Sequence, residues 1–412
     1  MKGSLRLLLV VSRHPLPARR GDQRRALQAL EALALRHRVS VLAPEPPADL
    51  PAADRQRLES LPVDWVHYRS AGPLGRLRAL AGAVVSGMPL QCGLFGSPDL
   101  GTELARLVPE ADLAILQLVR LAPWLDRLEG CPMVVDLIDS LALSTARRAE
   151  LDRAWLAPAL RMEAGRLGRW EGRLADRAAR TLVVSERDRR AVAEVSPRAA
   201  QRVRVLPVAV PDMPAGREER DEGPRTLVVT GNLGYFPTSE GLRWLLDEVW
   251  PRLAREDADI RLVLAGTRAP AWLERRAART PGVTLLADPP DLAEVFRGAT
   301  IALAPMRGGA GQPLKVCEAW AAGVPVVATS WAAAGTTGRP GEEIVVADGA
   351  DVWVAAIRGL LGDPERMRRI AEAAGRRVAL DYSPGSVSEG WLEVVEEAVF
   401  EAREALEARS RA

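Results

Sequence analysis

A rhythm that runs twice along the chain sets the strongest limit on its fold. Short apolar runs of strand length alternate with longer segments of helical spacing. Leu5–Val11, Val39–Leu42, Leu113–Leu118, Met133–Leu137, Thr181–Val184 and Val203–Pro207 read as buried strands by length and bounding charges. Between them lie helical patterns, among them Arg24–Leu35 and one long helix over roughly Arg148–Ala179. Strands that alternate with helices build right-handed crossovers and a parallel sheet. Residues 211–225, PDMPAGREERDEGPR, break the rhythm with three prolines, two glycines and a charge run, which is a linker composition. Then the alternation restarts. Strands are predicted at Thr226–Thr230, Ile260–Ala265, Val283–Leu286, Ile301–Ala304, Val324–Ala328 and Glu343–Val346. Helices are predicted at Ser239–Leu253, Leu292–Arg297, Leu314–Ala322, Ala350–Leu361 and Pro364–Leu380, with a last amphipathic helix over Val387–Arg411. The expected fold class is α/β, with two consecutive Rossmann-like doubly wound domains. The expected boundaries are 1–212, a linker at 213–225, 226–385, and a final helix at 386–412 packing back across the domains. Ligands of such sheets bind outside the carboxyl ends of the strands, so the expected site is a cleft between the domains.

At 412 residues and 48% hydrophobic content, the chain is long enough for two ordinary cores. The net charge of +2 carries no global signature of nucleic-acid binding. The charge is uneven, however. Residues 1–212 hold 32 basic against 24 acidic side chains, and the remainder 24 against 30. A basic N-terminal half suits an anionic membrane surface or an acidic substrate. It equally describes a solvated, Arg-rich surface. Cys92, Cys131 and Cys317 are scattered and odd in number, which suits a reducing compartment better than a disulfide framework. The apolar start LRLLLVVS is short for a signal-peptide core, and no stretch approaches the ~18 apolar residues of a membrane span. The expectation is a cytoplasmic protein, at most peripheral at the inner face of the membrane. His14, His37 and His67 are the only histidines, and none has metal-ligand spacing with Cys or another His. No metal site is expected. Neither a G-x-S-x-G elbow nor a G-x-x-x-x-G-K-[ST] phosphate loop occurs.

Chemistry concentrates at residues 308–329, GGAGQPLKVCEAWAAGVPVVAT. Gly308, Gly309 and Gly311 let backbone approach a ligand. The helix expected from Leu314 turns its free N–H groups and positive dipole end back on that loop, a ready phosphate site. Lys315 adds a point charge, and Glu318, one turn on, has a carboxylate suited to vicinal hydroxyls such as those of a ribose. An unliganded loop–helix junction reads the same way, since Lys and Glu are ordinary helix formers. Gly231 and Asn232 follow a strand directly, as does any βα turn. Arg268 ends the next strand and Arg307 precedes the glycine cluster. Each is either a phosphate contact or a surface arginine. In the N-terminal half, Gly21 and Asp22 lie after the first strand, among Arg13, Arg19, Arg20, Arg24 and Arg25. Asp136 and Asp139 sit at a strand's carboxyl end, where they could orient an acceptor hydroxyl or, for Asp139 and Ser140, cap a helix.

The quoted stretch resembles the nucleotide-sugar motif of family-4 retaining glycosyltransferases of the GT-B fold, and further matches follow in order along nearly the whole chain. They are SRHPLPARRGDQRRALQALEALALRHRVSVL (Ser12–Leu42), VVDLIDSLA (Val134–Ala142), RWEGRLADRAARTLVVSERDRRAV (Arg169–Val192), VVTGNLGYFPTSEGLRWLLDEVWPRL (Val228–Leu253) and VTLLADPPDLAEVFRGATIALAPMRGGAG (Val283–Gly311). The nearest resemblance is to sugar transferases of bacterial exopolysaccharide loci. It implies metal-independent transfer of a sugar from a nucleotide-diphosphate sugar (UDP-, GDP-, ADP- or dTDP-linked) to an acceptor hydroxyl, with retention. The acceptor would be a glycan, a lipid-linked sugar or a small molecule. Lys315, Glu318 and Arg268 would act on the donor, with Gly231, Asn232, Arg307, Gly308, Gly309 and Gly311 around it. Gly21, Asp22, Arg25 and Asp136 would face the acceptor side or the cleft. The family commonly places two glutamates around seven residues here. Glu318 matches the second, and Ala310 stands at the first. Two alternatives stand beside this reading: a GT-B protein without chemistry that acts as a binding or partner subunit, and a nucleotide-sugar 2-epimerase. The latter relies on histidines that the C-terminal half lacks.

Overall fold

The computed structural model describes residues 3–95, 97–211, 213, 225–257 and 259–411. Contacts divide the chain into two compact units. One runs to Ala209 and takes in the stretch from Pro384 onward; the other is Val210–Ser383. The linker expected at 213–225 lies almost wholly outside the described residues.

The first unit holds a seven-stranded parallel sheet. Its strands are β1 (Arg6–Val10), β2 (Arg38–Pro44), β3 (Asp64–Tyr68), β4 (Leu113–Gln117), β5 (Met133–Ile138), β6 (Arg180–Val183) and β7 (Val203–Val205). They are ordered β3-β2-β1-β4-β5-β6-β7. The second unit repeats the plan with β8 (Thr226–Asn232), β9 (Arg261–Thr267), β10 (Val283–Ala287), β11 (Ile301–Ala304), β12 (Val326–Ala328) and β13 (Val345–Val346), ordered β10-β9-β8-β11-β12-β13. In each sheet the chain winds outward from one strand and then restarts on its other side. The restart falls between β1 and β4 in one sheet and between β8 and β11 in the other. That reversal leaves a crevice outside the strands' carboxyl ends.

The apolar runs form strands because both faces of each sheet are covered by helices. Leu7 and Leu9 of β1 face one core layer and Leu8 and Val10 the opposite one, all at 1% exposure or less. The last helix, Pro384–Arg411, joins the first unit. Val387, Trp391, Val395 and Ala398 pack with Leu5, Leu7, Ala26 and Leu30, and Arg180 pairs with Glu401 and Glu397.

Several elements differ from the sequence reading. The helix expected over Arg148–Ala179 is two, Leu141–Leu151 and Ala157–Arg177. Pro158 stands in the first turn of the second, where its missing N–H costs nothing, but it cannot continue a helix from before. The helix expected at Ser239–Leu253 starts earlier, at Phe236, and widens into a π-type turn over Leu245–Val249. Pro251 follows one residue into the next helical stretch, Trp250–Glu256, and removes one regular hydrogen bond there. Strand β3 and the helices Ala52–Ser60, Pro73–Ser86, Leu90–Phe95 and Pro98–Leu107 were not anticipated. β3 is an edge strand whose only fully buried residue is Tyr68, so its sequence lacks a continuous apolar run.

Candidate functional site

The chemistry predicted for residues 308–318 falls at the reversal point of the second sheet. The carboxyl end of β8 supplies Gly231 and Asn232 and the turn after it Leu233 through Tyr235, and the loop after β11 supplies Arg307 through Pro313. Helix Leu314–Ala321 then begins after Pro313, which offers no side-chain cap, and its Val316 N–H donates to the Pro313 carbonyl at 2.8 Å.

Close backbone approach explains two of the glycines. Gly231 has φ 116°, and a Cβ there would lie 3.3 Å from Lys315 Cε. A side chain at that position would crowd the lysine and strain the backbone. Gly309 has φ 93°, and its Cβ would meet Pro237 Cγ at 3.0 Å. The Gly309 carbonyl accepts a hydrogen bond from Trp331 Nε1 at 2.9 Å, which ties the loop to the helical turn at Ser330–Ala333. Gly308 and Gly311 are buried within the same loop.

Lys315 is partly buried, and its Nζ donates to Thr238 Oγ1 at 3.0 Å. Desolvation pushes its ammonium down from 10.5 to about 8, against the charge of Glu318, which favours protonation. Glu318 is 6% exposed on the same helix. Asn232 closes its own turn, its Oδ1 accepting from Gly234 N at 3.2 Å. Arg268, exposed and in the left-handed region at φ 54°, follows β9 directly and lies against that turn: a Cβ on Gly234 would lie 2.6 Å from the Arg268 carbonyl. Arg307 pairs with Glu240 at 2.9 Å and lies over the Trp244 ring. Of the donor-side residues chosen from sequence, Lys315, Gly309 and Arg307 therefore contact helix Phe236–Trp244, and Arg268 the turn before it. Sequence reasoning missed Thr238, the partner of Lys315, and Trp331, the clamp on Gly309. Neither carries a motif, and only the fold brings them near.

The acceptor-side residues fare differently. Gly21 opens helix Gly21–Leu33 in open space, where a Cβ would meet nothing within 4 Å. Asp22 accepts from Arg13 Nη1 at 2.6 Å and from Arg120 Nη1 at 3.1 Å, and both guanidiniums lie over the Phe95 ring. Arg13 and Arg120 are thus part of this corner. Arg25 and Asp136, expected at the acceptor side or the cleft, are 0% and 1% exposed. Arg25 grips Asp136 through two bonds of 3.1 Å. It also donates to the carbonyls of Leu206 and Pro207 at 2.6 and 2.7 Å and lies over Trp391. This fork of donors is spent on the protein itself, clasping β5, the segment after β7 and the last helix. Asp139 is not the helix cap. Ser140 is, its Oγ accepting from Leu143 N. Burial, reinforced by Asp188, pushes the Asp139 carboxyl up to about 7. Glu171, which accepts from Ser140 Oγ and Ala142 N, is pushed up to about 8, chiefly by burial. Among the described residues no cluster of His, Cys, Asp and Glu is arranged to hold a metal ion, and no helix is long and apolar enough to cross a membrane.

Two Rossmann-like domains in one chain, with a glycine-lined crevice in the second, define the GT-B class of fold. Comparison with known proteins agrees. The family profile described as "Glycosyl transferases group 1" matches residues 224–363, inside the second unit. An uncharacterized 44.6 kDa protein in the cps region of Klebsiella pneumoniae is 29% identical over 190 residues. That alignment covers 44% of this chain and 49% of the relative, so it spans only about half of the relative's length. Among solved structures, Anabaena HepE in complex with UDP superposes with a TM-score of 0.67 at 14% identity, over 95% of this chain and 100% of that one. Sucrose-phosphate synthase from Thermosynechococcus elongatus gives 0.68 at 15%, over 97% and 100%. The α,α-trehalose 6-phosphate synthase of Burkholderia multivorans gives 0.63 at 13%, over 100% and 99%. At these identities the likeness establishes the fold.

Proposed function

We propose that the protein is a retaining glycosyltransferase of the family-4 type, which moves a sugar from a nucleotide-diphosphate sugar to an acceptor hydroxyl in polysaccharide or glycoconjugate synthesis. The observation that carries this reading is the meeting of Lys315, a helix start without a side-chain cap and the positive-φ backbone of Gly231 at the crevice of the second sheet's reversal point. That crevice lies within the stretch matched by the glycosyl transferase profile. One protein of the same fold, Anabaena HepE, was solved with UDP and with UDP-glucose, which makes UDP the first nucleotide to try.

Sugar transfer leaves charge on the departing diphosphate. Lys315 and the first N–H groups of its helix would meet that charge in a site partly closed to water, where fixed donors act strongly. Arg268, exposed beside the Gly231–Gly234 turn, would reach the same diphosphate. Glu318 would accept from the ribose hydroxyls, and the Gly308–Gly311 loop would pass beneath the sugar. Asp22, set between Arg13 and Arg120, would border the acceptor.

The test is thermal stability of the full chain with UDP, GDP, ADP and dTDP and their sugar conjugates, repeated with Glu318→Ala, followed by nucleotide release during donor turnover. One nucleotide should raise the melting temperature of the wild type and not of the variant. Absence of a shift with every nucleotide would overturn the donor site. Ala310, where the family commonly has a carboxylate, favours a second reading as a binding subunit without chemistry. Nucleotide binding with no hydrolysis or transfer from any bound donor would select it.

A further inference from the structure

The segment between β3 and helix Pro98–Leu107 is unlike the rest of the surface. Helix Pro73–Ser86, PLGRLRALAGAVVS, buries only Ala83. It packs on helix Leu90–Phe95 by close backbone contact: a Cβ on Gly93 would lie 2.7 Å from the Ala79 carbonyl. The Ala79–Ala83 side therefore faces the neighbouring helix. Away from it, Leu74, Leu77, Val84 and Val85 are 76%, 65%, 54% and 89% exposed, and Leu90 and Leu94 of the next helix are exposed as well. At about 100° per residue, Leu74, Leu77, Ala81, Val84 and Val85 fall on one side of the helix, a contiguous apolar stripe of the kind that marks an interaction surface.

Charge says what covers it. Residues 65–98 contain no Asp or Glu, while Arg69, Arg76 and Arg78 are all present and exposed. Among the described residues, carboxylates from elsewhere touch only its margin, Glu163 at the Leu90 N–H (2.6 Å) and Glu45 at Arg69 (3.9 Å). An apolar stripe with arginines beside it and no acidic residue of its own matches an anionic lipid surface, where the leucines and valines enter the headgroup boundary and the guanidiniums stay with the phosphates. A second copy of the same helix would bring arginines toward arginines. We infer that helix Pro73–Ser86, with Leu90 and Leu94, is a membrane-docking element that seats the first unit on an anionic bilayer. This goes beyond the transfer reaction and does not rest on it. It gives the basic N-terminal half a specific contact.

The full chain is floated with vesicles of phosphatidylcholine alone and of phosphatidylcholine with 30% phosphatidylglycerol. The wild type should partition at least tenfold better onto the anionic vesicles, and added salt should weaken that preference. The double variant Leu77→Ser/Val85→Ser should lose about tenfold, and Arg76→Gln/Arg78→Gln several-fold together with most of the salt dependence. All of these positions are exposed, so circular dichroism and melting temperature should match the wild type. Equal binding to both vesicle types, or serine variants that bind like the wild type, would overturn the inference. A wild-type dimer in sedimentation equilibrium that becomes monomeric in Leu77→Ser/Val85→Ser, with no vesicle binding, would also overturn it and assign the stripe to a second copy. Nucleotide-dependent melting shifts should be the same in all these variants, so failure here is separable from failure of the donor site.

Discussion

The two sheets share one winding and diverge at the place where that winding reverses. In the second sheet the reversal point is lined with glycine. Gly231 and Gly309 hold positive φ angles that favour a residue without a side chain, and one ammonium, on Lys315, stands against Gly231 with Thr238 as its neighbour. In the first sheet the corresponding region is filled by side chains that satisfy one another. Arg13 and Arg120 close on Asp22 over Phe95, and Arg25 closes on Asp136 over Trp391. Topology alone makes a crevice. Whether the crevice is open to a ligand depends on which residues occupy it.

That contrast predicts a separation of effects. The largest loss should come from the filled side. Asp136→Ala leaves the Arg25 guanidinium buried without its carboxylate, and breaking such a pair costs about 3–5 kcal/mol. Chemical denaturation should show this loss, with nucleotide affinity of the remaining folded protein unchanged. Arg25→Met/Asp136→Leu, which removes both charges, should recover most of it. If Asp136→Ala instead abolished nucleotide binding at full stability, the clasp would belong to the ligand site.

On the open side the order reverses. Lys315→Ala and Glu318→Ala should leave the melting temperature of the free protein within a few degrees of wild type. They should remove the stabilisation by nucleotide, which at 100 times the dissociation constant amounts to about 2.7 kcal/mol. Gly309→Ala should act more weakly. Its positive φ and the 3.0 Å approach to Pro237 strain the loop by about 1–2 kcal/mol, read as a several-fold weaker nucleotide affinity by titration calorimetry. An unchanged affinity would mean that the loop does not touch the donor.

The same contrast explains what could be read from the sequence. The second unit's candidate site could be proposed from sequence because most of its residues lie close together in the chain. The glycines, Lys315 and Glu318 lie within eleven residues of one another, from Gly308 to Glu318. Thr238 was not legible, because 77 positions separate it from Lys315 and a threonine in a first helical turn has many ordinary uses. In the first unit, spacing along the chain misled. Arg25 and Asp136 sit where cleft residues should sit, at a helix start and a strand end. Their mutual distance across 111 positions and the arrival of Trp391 from the last helix turn them inward. A sequence pattern shows which element carries a charge. It does not show whether another charge already answers it, and the missed edge strand β3 fails for a related reason, since its side chains lack the burial that writes an apolar run.

The smallest effect separates the two sides by pH. Lys315 ordinarily titrates near 10.5 and is held at about 8 in the folded protein, mainly by desolvation. Between those values the unfolded chain binds more protons at this position than the folded one. The stability of the free protein therefore gains a rising contribution with pH in that window. Nucleotide binding should run the opposite way. A diphosphate favours the charged ammonium, so affinity should hold below about pH 8 and then fall toward tenfold per pH unit until the bound-state value of Lys315 is passed. Calorimetry near pH 8.5 in buffers of different ionisation heat should register proton uptake on binding, and Lys315→Ala should show neither the uptake nor the slope. Uptake that persisted in Lys315→Ala would move the proton to another group and take the lysine out of the donor site.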